Sequence, residues 1–267
     1  WLPAVEAIEQ AKTHTLPREI QDLIHRRIER LDAGLRGMLE CASVVATNCS
    51  KAVLGKLWNE TSSQESVQEY AQNLEKLQDM HILVNEPAGY RFSHEKIREV
   101  VYSAIPSDQK RMLHQAYAEI LEEKNKSEKD EATRPYELFA FHDQRAGLDW
   151  RAAKAYVAAV RQATKGYRID EGLTLANELL VILASIETDV VDESAILQIR
   201  YETLEQRVQI FEILAKRDEQ EQDANALVEI AEQIGDAQKL AEAHLAQAKV
   251  NIRTSSYDKA QVACYRA

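Results

Sequence analysis

Glycine and proline are scarce in this chain, 8 and 5 residues of 267, while Ala, Leu, Glu, Gln and Lys are abundant. Straight side chains lose little freedom in a helix, so the balance excludes a turn-rich all-β protein and predicts a mainly α one. Cysteine is also sparse. Cys41, Cys49 and Cys264 form neither a CxxC pair nor an even set, which excludes a disulfide framework and fits reduced thiols in the cytoplasm. No run of about 18 apolar residues and no signal-like segment occurs, so no membrane partner is expected. Positive charge is lacking as well: the formal net charge is −11. A phosphate backbone attracts cations that release its counterions, and this chain offers it the wrong sign.

Catalytic motifs are missing. There is no HExxH, GxSxG, GxGxxG or GxxxxGK[ST]; Gly55-Lys56 lacks both the upstream glycine and the following hydroxyl of a phosphate-binding loop. The seven histidines show no i, i+4 pair that would place two on one helix face, so no metal ligand set is expected. No catalytic residue can be named, and the chain is not expected to be an enzyme by itself. Trp1 at the first position and an uncapped, helix-like ending at Gln261–Ala267 read as a piece of a longer protein.

What the chain does contain is periodicity. Ile20, Leu23, Ile24, Ile28 and Leu31 recur at helical spacing after Pro17, which suits a first turn. Asp32 can cap a second helix that buries Leu35, Met38, Leu39, Cys41, Ala42 and Val45. Thr47–Ser50 turns into a helix with Val53, Leu54 and Leu57, and a fourth carries Val67, Tyr70, Ala71, Leu74 and Leu77. Ile82-Leu83-Val84 and Tyr90-Arg91-Phe92 then read as two strands joined by Asn85–Gly89, whose proline and glycine suit a turn. Ser93 opens another helix with His94 in its first turn and Ile97, Val100 and Val101 as its apolar stripe. Helices, a hairpin and a closing helix describe a winged-helix domain over residues 1–106, with the hairpin burying its face on the helices.

After Pro106 the pattern changes to antiparallel helix pairs: Asp108–Lys124 with Ala132–Arg145, Trp150–Lys165 with Ile169–Ile186, Ser194–Arg217 with Asp223–Ile234, and Ala237–Arg253 with Ser256–Ala267. Leu227, Ile230, Ala231 and Ile234 form one apolar face; Leu240, Ala241, Leu245 and Ala248 form the next, with Gly235-Asp236 as the break. Such pairs are the unit of an α-solenoid. Ala248, Tyr257, Ala260 and Ala267 match the small and aromatic spacing of a tetratricopeptide (TPR) repeat, in which small residues let helices approach closely. Residues 107–267 therefore read as a TPR-like helical arm, and Glu122–Thr133 as a solvated connector.

The succession Leu16-Pro17-x-x-Ile20-x-x-Leu23-Ile24-x-Arg26-Arg27-Ile28-x-x-Leu31, then Leu39-x-x-Ala42-Ser43-Val44-Val45, then Tyr90–Tyr102 and Leu113-His114 resembles bacterial STAND regulatory ATPases. It resembles the region just after their AAA-type nucleotide-binding core. The resemblance implies a winged helix that closes over bound nucleotide, followed by a TPR-like superhelix that acts as arm and sensor. Phe92-Ser93-His94-Glu95 takes the place of the family's winged-helix histidine motif, so His94 is the candidate contact to the β-phosphate of ADP. Ser93 and Glu95 replace the family's Met and Asp. ATP or ADP with Mg²⁺ is implied for the full-length parent and no cofactor for this segment, since the phosphate loop and metal ligands would lie upstream of Trp1.

The implied partners are that upstream nucleotide-binding domain and a protein or small-molecule inducer at the helical repeats. Tyr156, Tyr167 and Tyr201 are candidates for the sensing face or for simple packing. Two other functions compete. A winged-helix DNA-binding regulator predicts a cationic recognition helix, but Ser63–Met80 holds Lys76 as its only Lys or Arg, which argues against DNA. A TPR scaffold that recruits a partner without a nucleotide switch would not need the winged helix and ranks second. On this reading Leu23 is core, and Leu23→Asp should unfold the first domain.

Overall fold

Local signals in the sequence set where the helices start. Asp32 Oδ1 accepts a hydrogen bond from Leu35 N at 2.8 Å, relieving one of the unpaired amides that open a helix. The apolar residues that follow lie on its covered face. In the computed structural model, which describes residues 18–45, 49–61, 67–126, 133–187 and 191–267, the protein is mainly helical with one antiparallel hairpin. Leu16, Pro17 and the polar turn at Thr47-Asn48 lie outside the described residues. The chain divides into two compact units, Trp1–Lys129 with Arg145–Gly147, and Asp130–Gln144 with Leu148–Ala267.

The first unit runs α1 (Arg18–Glu29), α2 (Ala33–Val45), α3 (Lys51–Thr61), α4 (Val67–Asp79), β1 (Leu83–Glu86), β2 (Gly89–Phe92), α5 (Glu95–Ala104) and α6 (Ser107–Asn125). The hairpin register pairs Leu83 with Phe92 and Glu86 with Gly89. The turn is therefore Pro87-Ala88 alone, tighter than the five-residue turn the sequence suggests, because Asn85, Glu86 and Gly89 join the ladder. Cys49, between α2 and α3, adds a third segment: its N–H donates to Tyr90 O at 2.9 Å, and its carbonyl accepts from Tyr90 N at 2.8 Å. Gly89 makes this approach possible. Its φ is 143°, and a Cβ there would lie 2.1 Å from the Cys49 carbonyl oxygen, a distance no side-chain carbon tolerates.

Met38, Leu39, Leu54, Leu57, Leu77, Ile82 and Leu83 fill the core between these helices and the hairpin. The polar ties are specific. Arg98 of α5 is buried, donating to Ser43 O on α2 at 3.0 Å and to Glu95 Oε1 at 2.5 Å. Helix α6 packs on α2 and α3, burying Leu113, Tyr117 and Leu121, so it belongs with the first unit rather than forming a pair with the helix that follows. Leu23, by contrast, is 66% exposed on α1. Its position in the apolar stripe is real, yet no described neighbour covers it, so it is not core.

The second unit contains α7 (Tyr136–Ala146) as far as Gln144, and α8 (Asp149–Lys165), α9 (Ile169–Ser185), α10 (Glu193–Ile213), α11 (Arg217–Ile234), α12 (Ala237–Arg253) and α13 (Tyr257–Arg266). Helix α7 begins at Tyr136, after Pro135, since a residue preceding proline is driven out of the helical region; the expected start at Ala132 lies outside the described residues. From α8 onward each helix packs on the next, and α8 also packs on α10, as the first helices of successive pairs do in a solenoid. Those first helices start at Asp149, Glu193 and Ala237, an even spacing of 44 residues and longer than the 34 of a TPR unit.

The break between α10 and α11 falls at Leu214–Lys216, not in the polar run after Arg217. No glycine or proline marks it. Ala215 takes a left-handed φ of 56°, and Lys216 N donates to Phe211 O at 3.0 Å, the six-to-one bond of a Schellman ending. Tyr167 and Ser255 do the same after α8 and α12, with φ of 58° and 59°. Gly147 and Gly235 serve the ends of α7 and α11.

Candidate functional site

His94 stands one residue before α5, as its N-cap, with extended backbone angles (φ −139°, ψ 131°) and no capping bond from its side chain. The hairpin positions it: Ser93 N donates to Ile82 O at 2.9 Å, and His94 O accepts from Ile97 N at 2.9 Å. Its side chain is exposed. The neighbouring Glu95 carboxylate is held by Arg98, and Lys96 pairs with Glu99 at 3.0 Å. An imidazole at the positive end of a helix dipole can meet an anion. The residues present thus fit one contact to a nucleotide phosphate, and this chain's sequence holds no phosphate loop to supply the rest.

His114, the other histidine of the resemblance, is buried and has a different role. Tyr102 Oη and His114 Nε2 lie 2.9 Å apart in a hydrogen bond, with the rings edge-on at 5.8 Å. Burial, with Arg145 and Lys110 nearby, pushes the imidazole down to about 3, because each disfavours a second positive charge. It is therefore a neutral core group at ordinary pH.

The tyrosines separate in the same way. Tyr156 is buried, donating to Gln144 Oε1 at 3.0 Å. Tyr201 is buried too, donating to Lys239 O at 3.0 Å and so tying α10 to α12. Tyr167 is 85% exposed at the left-handed turn after α8. Two of the three pack, and one remains on the surface.

A groove among α10, α11 and α12 was not legible as a site in the sequence. It encloses about 240 Å³. Val208 and Leu227, both buried, and Ala246 give it an apolar base, and Leu245 stands at its side, 48% exposed. Leu245 thus leaves the covered face to which its spacing assigns it, while Ala248 of that face stays buried along with Ala243 and Val250. Gln220, also buried, donates to Val208 O at 3.4 Å and accepts from Arg217 at 2.8 Å. Glu205 of α10 and Glu242 of α12 line the groove with Glu212 and Lys249. Burial raises the Glu205 carboxyl above its ordinary range and Glu242 raises it further, against Lys239 and Arg161. Glu212 is paired with Arg253.

Among the described residues no His/Cys/Asp/Glu group could hold a metal ion, and no helix is long and apolar enough to cross a membrane. On α4, Lys76 is the only Lys or Arg. No family model matches the chain, and no curated protein matches it. Among solved structures it is similar to a signal transduction ATPase with numerous domains (STAND) protein with a tetratricopeptide repeat sensor, from Pyrococcus horikoshii. The identity is 12% over 95% of this chain, with a TM-score of 0.36; the chain spans 47% of that protein's length.

Proposed function

We propose that this chain is the regulatory and sensing segment of a STAND-type signalling ATPase, with a winged helix that holds the nucleotide-bound resting state and a TPR-like arm that receives the input. The order of elements in the first unit carries this reading. Helix α2, the bridge at Cys49, helices α3 and α4, and the β1–β2 hairpin follow one another as in a winged helix, with β2 flanked by both other segments. Helix α6 packs on α2 and α3 within the same unit. Lys76 as the sole cation of α4 turns this unit away from DNA.

His94 is the residue that would touch the phosphate of ADP, from the N-terminus of α5, and bound ADP would hold the winged helix against the nucleotide domain. Binding at the arm changes that equilibrium only if the input favours one state over the other. The groove among α10, α11 and α12 is the place on the arm for such an input.

The test is His94→Ala in the full-length protein, with nucleotide released by denaturation and quantified by chromatography. Several-fold less ADP per protein and raised basal activity are expected. Unchanged ADP content would leave His94 a structural residue and favour the scaffold reading, in which the same groove recruits a partner without a nucleotide switch.

A further inference from the structure

We propose that the groove among α10, α11 and α12 binds a polypeptide segment in which a lysine or arginine lies next to an apolar residue. This rests on the arm being an input-binding surface and adds the chemistry of the input.

Size argues for a segment of chain. About 240 Å³ lies below the 300–1,000 Å³ usual for small-molecule pockets and suits one or two side chains. Polarity argues for what those side chains are. The lining includes the apolar Val208, Leu227 and Ala246, with Leu245 about half exposed beside them. A side chain laid against Leu245 and Ala246 would remove that surface from water.

Charge selects the second group. Glu205 and Glu242 line the groove from α10 and α12 and repel one another, and burial at Glu205 works in the same direction. Two carboxylates in a partly desolvated cleft favour a cation between them, which relieves the repulsion while its stem covers apolar surface. Lys239 lies over the Tyr201 ring, 5.0 Å from its centroid, and Arg253 is engaged by Glu212. Lys249 lines the groove as its own cation; with Glu212 held by Arg253, it faces Glu205 and Glu242, and Lys239 and Arg161 act on Glu205 from nearby. The net charge of −11 adds a long-range field that attracts cationic segments and repels acidic ones.

The test uses the whole chain and three fluorescent pools of ten-residue peptides with equal leucine content, bearing lysine and arginine, glutamate, or serine. Binding is read by fluorescence polarisation at low and high salt. The cationic pool is expected to bind, to weaken roughly tenfold with Glu205→Gln/Glu242→Gln, and to be unaffected by Glu229→Gln outside the groove. The glutamine pair keeps side-chain volume, and circular dichroism confirms the fold. Preferential binding of the glutamate or serine pool, lost with Leu245→Lys, would overturn the cationic partner and leave the groove as a binding site. Cationic binding indifferent to the glutamine pair would overturn the proposal by placing the contact elsewhere. Binding of no pool would overturn both the partner and the use of this groove by peptides.

Discussion

In the first unit the fully buried side chains are large, among them Met38, Leu39, Leu54, Leu57, Leu77, Ile82 and Leu83, and they fill the space between helices and a hairpin. In the second unit large side chains such as Leu179 and Leu227 are buried as well, but alanine accompanies them repeatedly: Ala140, Ala152, Ala153, Ala159, Ala163 and Ala176 in one cluster, and Ala224, Ala231 and Ala243 in the next. A sheet packed on helices leaves a thick gap that only long side chains can fill. Stacked helix pairs gain instead by drawing their backbones together, which small side chains permit. The second unit thus adds many small side chains to its large ones, and its alanine positions should be sensitive to added volume where the first unit's large residues are sensitive to its removal.

The largest expected effect is at the one place where backbone meets backbone. Gly89→Ala puts a Cβ against the Cys49 carbonyl and into a φ of 143°, so it should cost more than about 4 kcal/mol and unfold the first unit alone. A variant in which Trp58, buried in α3, is the only tryptophan would report the loss by fluorescence. Much of the helical circular dichroism should persist, because the second unit has its own cores. Simultaneous loss of both units would break the comparison.

Next come the reciprocal size changes. Leu39→Ala in the first unit should cost about 2–5 kcal/mol through the cavity it leaves. Ala153→Leu in the second should cost about 1–3 kcal/mol by forcing α8 from its neighbours. Chemical denaturation, followed with one tryptophan per unit, reads both. Equal tolerance of Ala153→Leu and of a surface leucine would show that close approach is not what the alanines provide.

Acid should separate the units with opposite signs. His114 titrates at about 3 instead of 6.5, so the unfolded chain takes the proton first. Stability from this group is complete above about pH 6.5 and is lost as pH falls toward 3. Asp223 of α11 is pushed up to about 6 by burial, against Arg207 at 3.1 Å, and Glu137 up to about 7 by burial and then Glu171. There the folded form holds the proton more tightly, so stability is greatest below the ordinary carboxyl range and is lost as pH rises through those values. Between pH 7.5 and 5 the first unit should lose about 2 kcal/mol through His114 and the second should gain about 1 kcal/mol through Asp223. Burial also raises Glu40 and Glu60 in the first unit, which blunts its loss. In melts across pH, His114→Gln should remove the first unit's loss, and Asp223→Asn should reduce the second unit's gain while leaving the part that Glu137 supplies.

The smallest effects concern what periodicity misassigns. Ala215→Gly should stabilise the second unit by about 0.5–1 kcal/mol, relieving a left-handed residue at a helix end. Leu23→Asp should shift stability by less than about 0.5 kcal/mol, because the side chain already faces water. A collapse of the first unit on Leu23→Asp would restore Leu23 to the core.

Most of the helices were legible because spacing at i, i+3 and i+4 reports a buried face, and Asp32 and Gly235 mark ends by chemistry that acts locally. The hairpin was legible for the same reason, though its turn read as three residues too long. The break at Ala215 was not, because a left-handed alanine carries no sequence mark. The candidate site was legible at one residue, His94, through a resemblance. The groove was invisible because Glu205, Glu242 and Leu245 lie on different helices or read as ordinary surface and core.

The amino-acid sequence by itself determined the helical class, the acidic field, the absence of catalytic and phosphate-loop motifs and the order of the elements, since these follow from composition and short-range patterns. Only the tertiary structure decided which apolar stripes are covered, that Cys49 reaches β2 through Gly89, that His114 is a neutral core group, and that two glutamates share one groove. Each of these depends on a neighbour distant in sequence, and burial and charge proximity are properties of the pair, not of the residue.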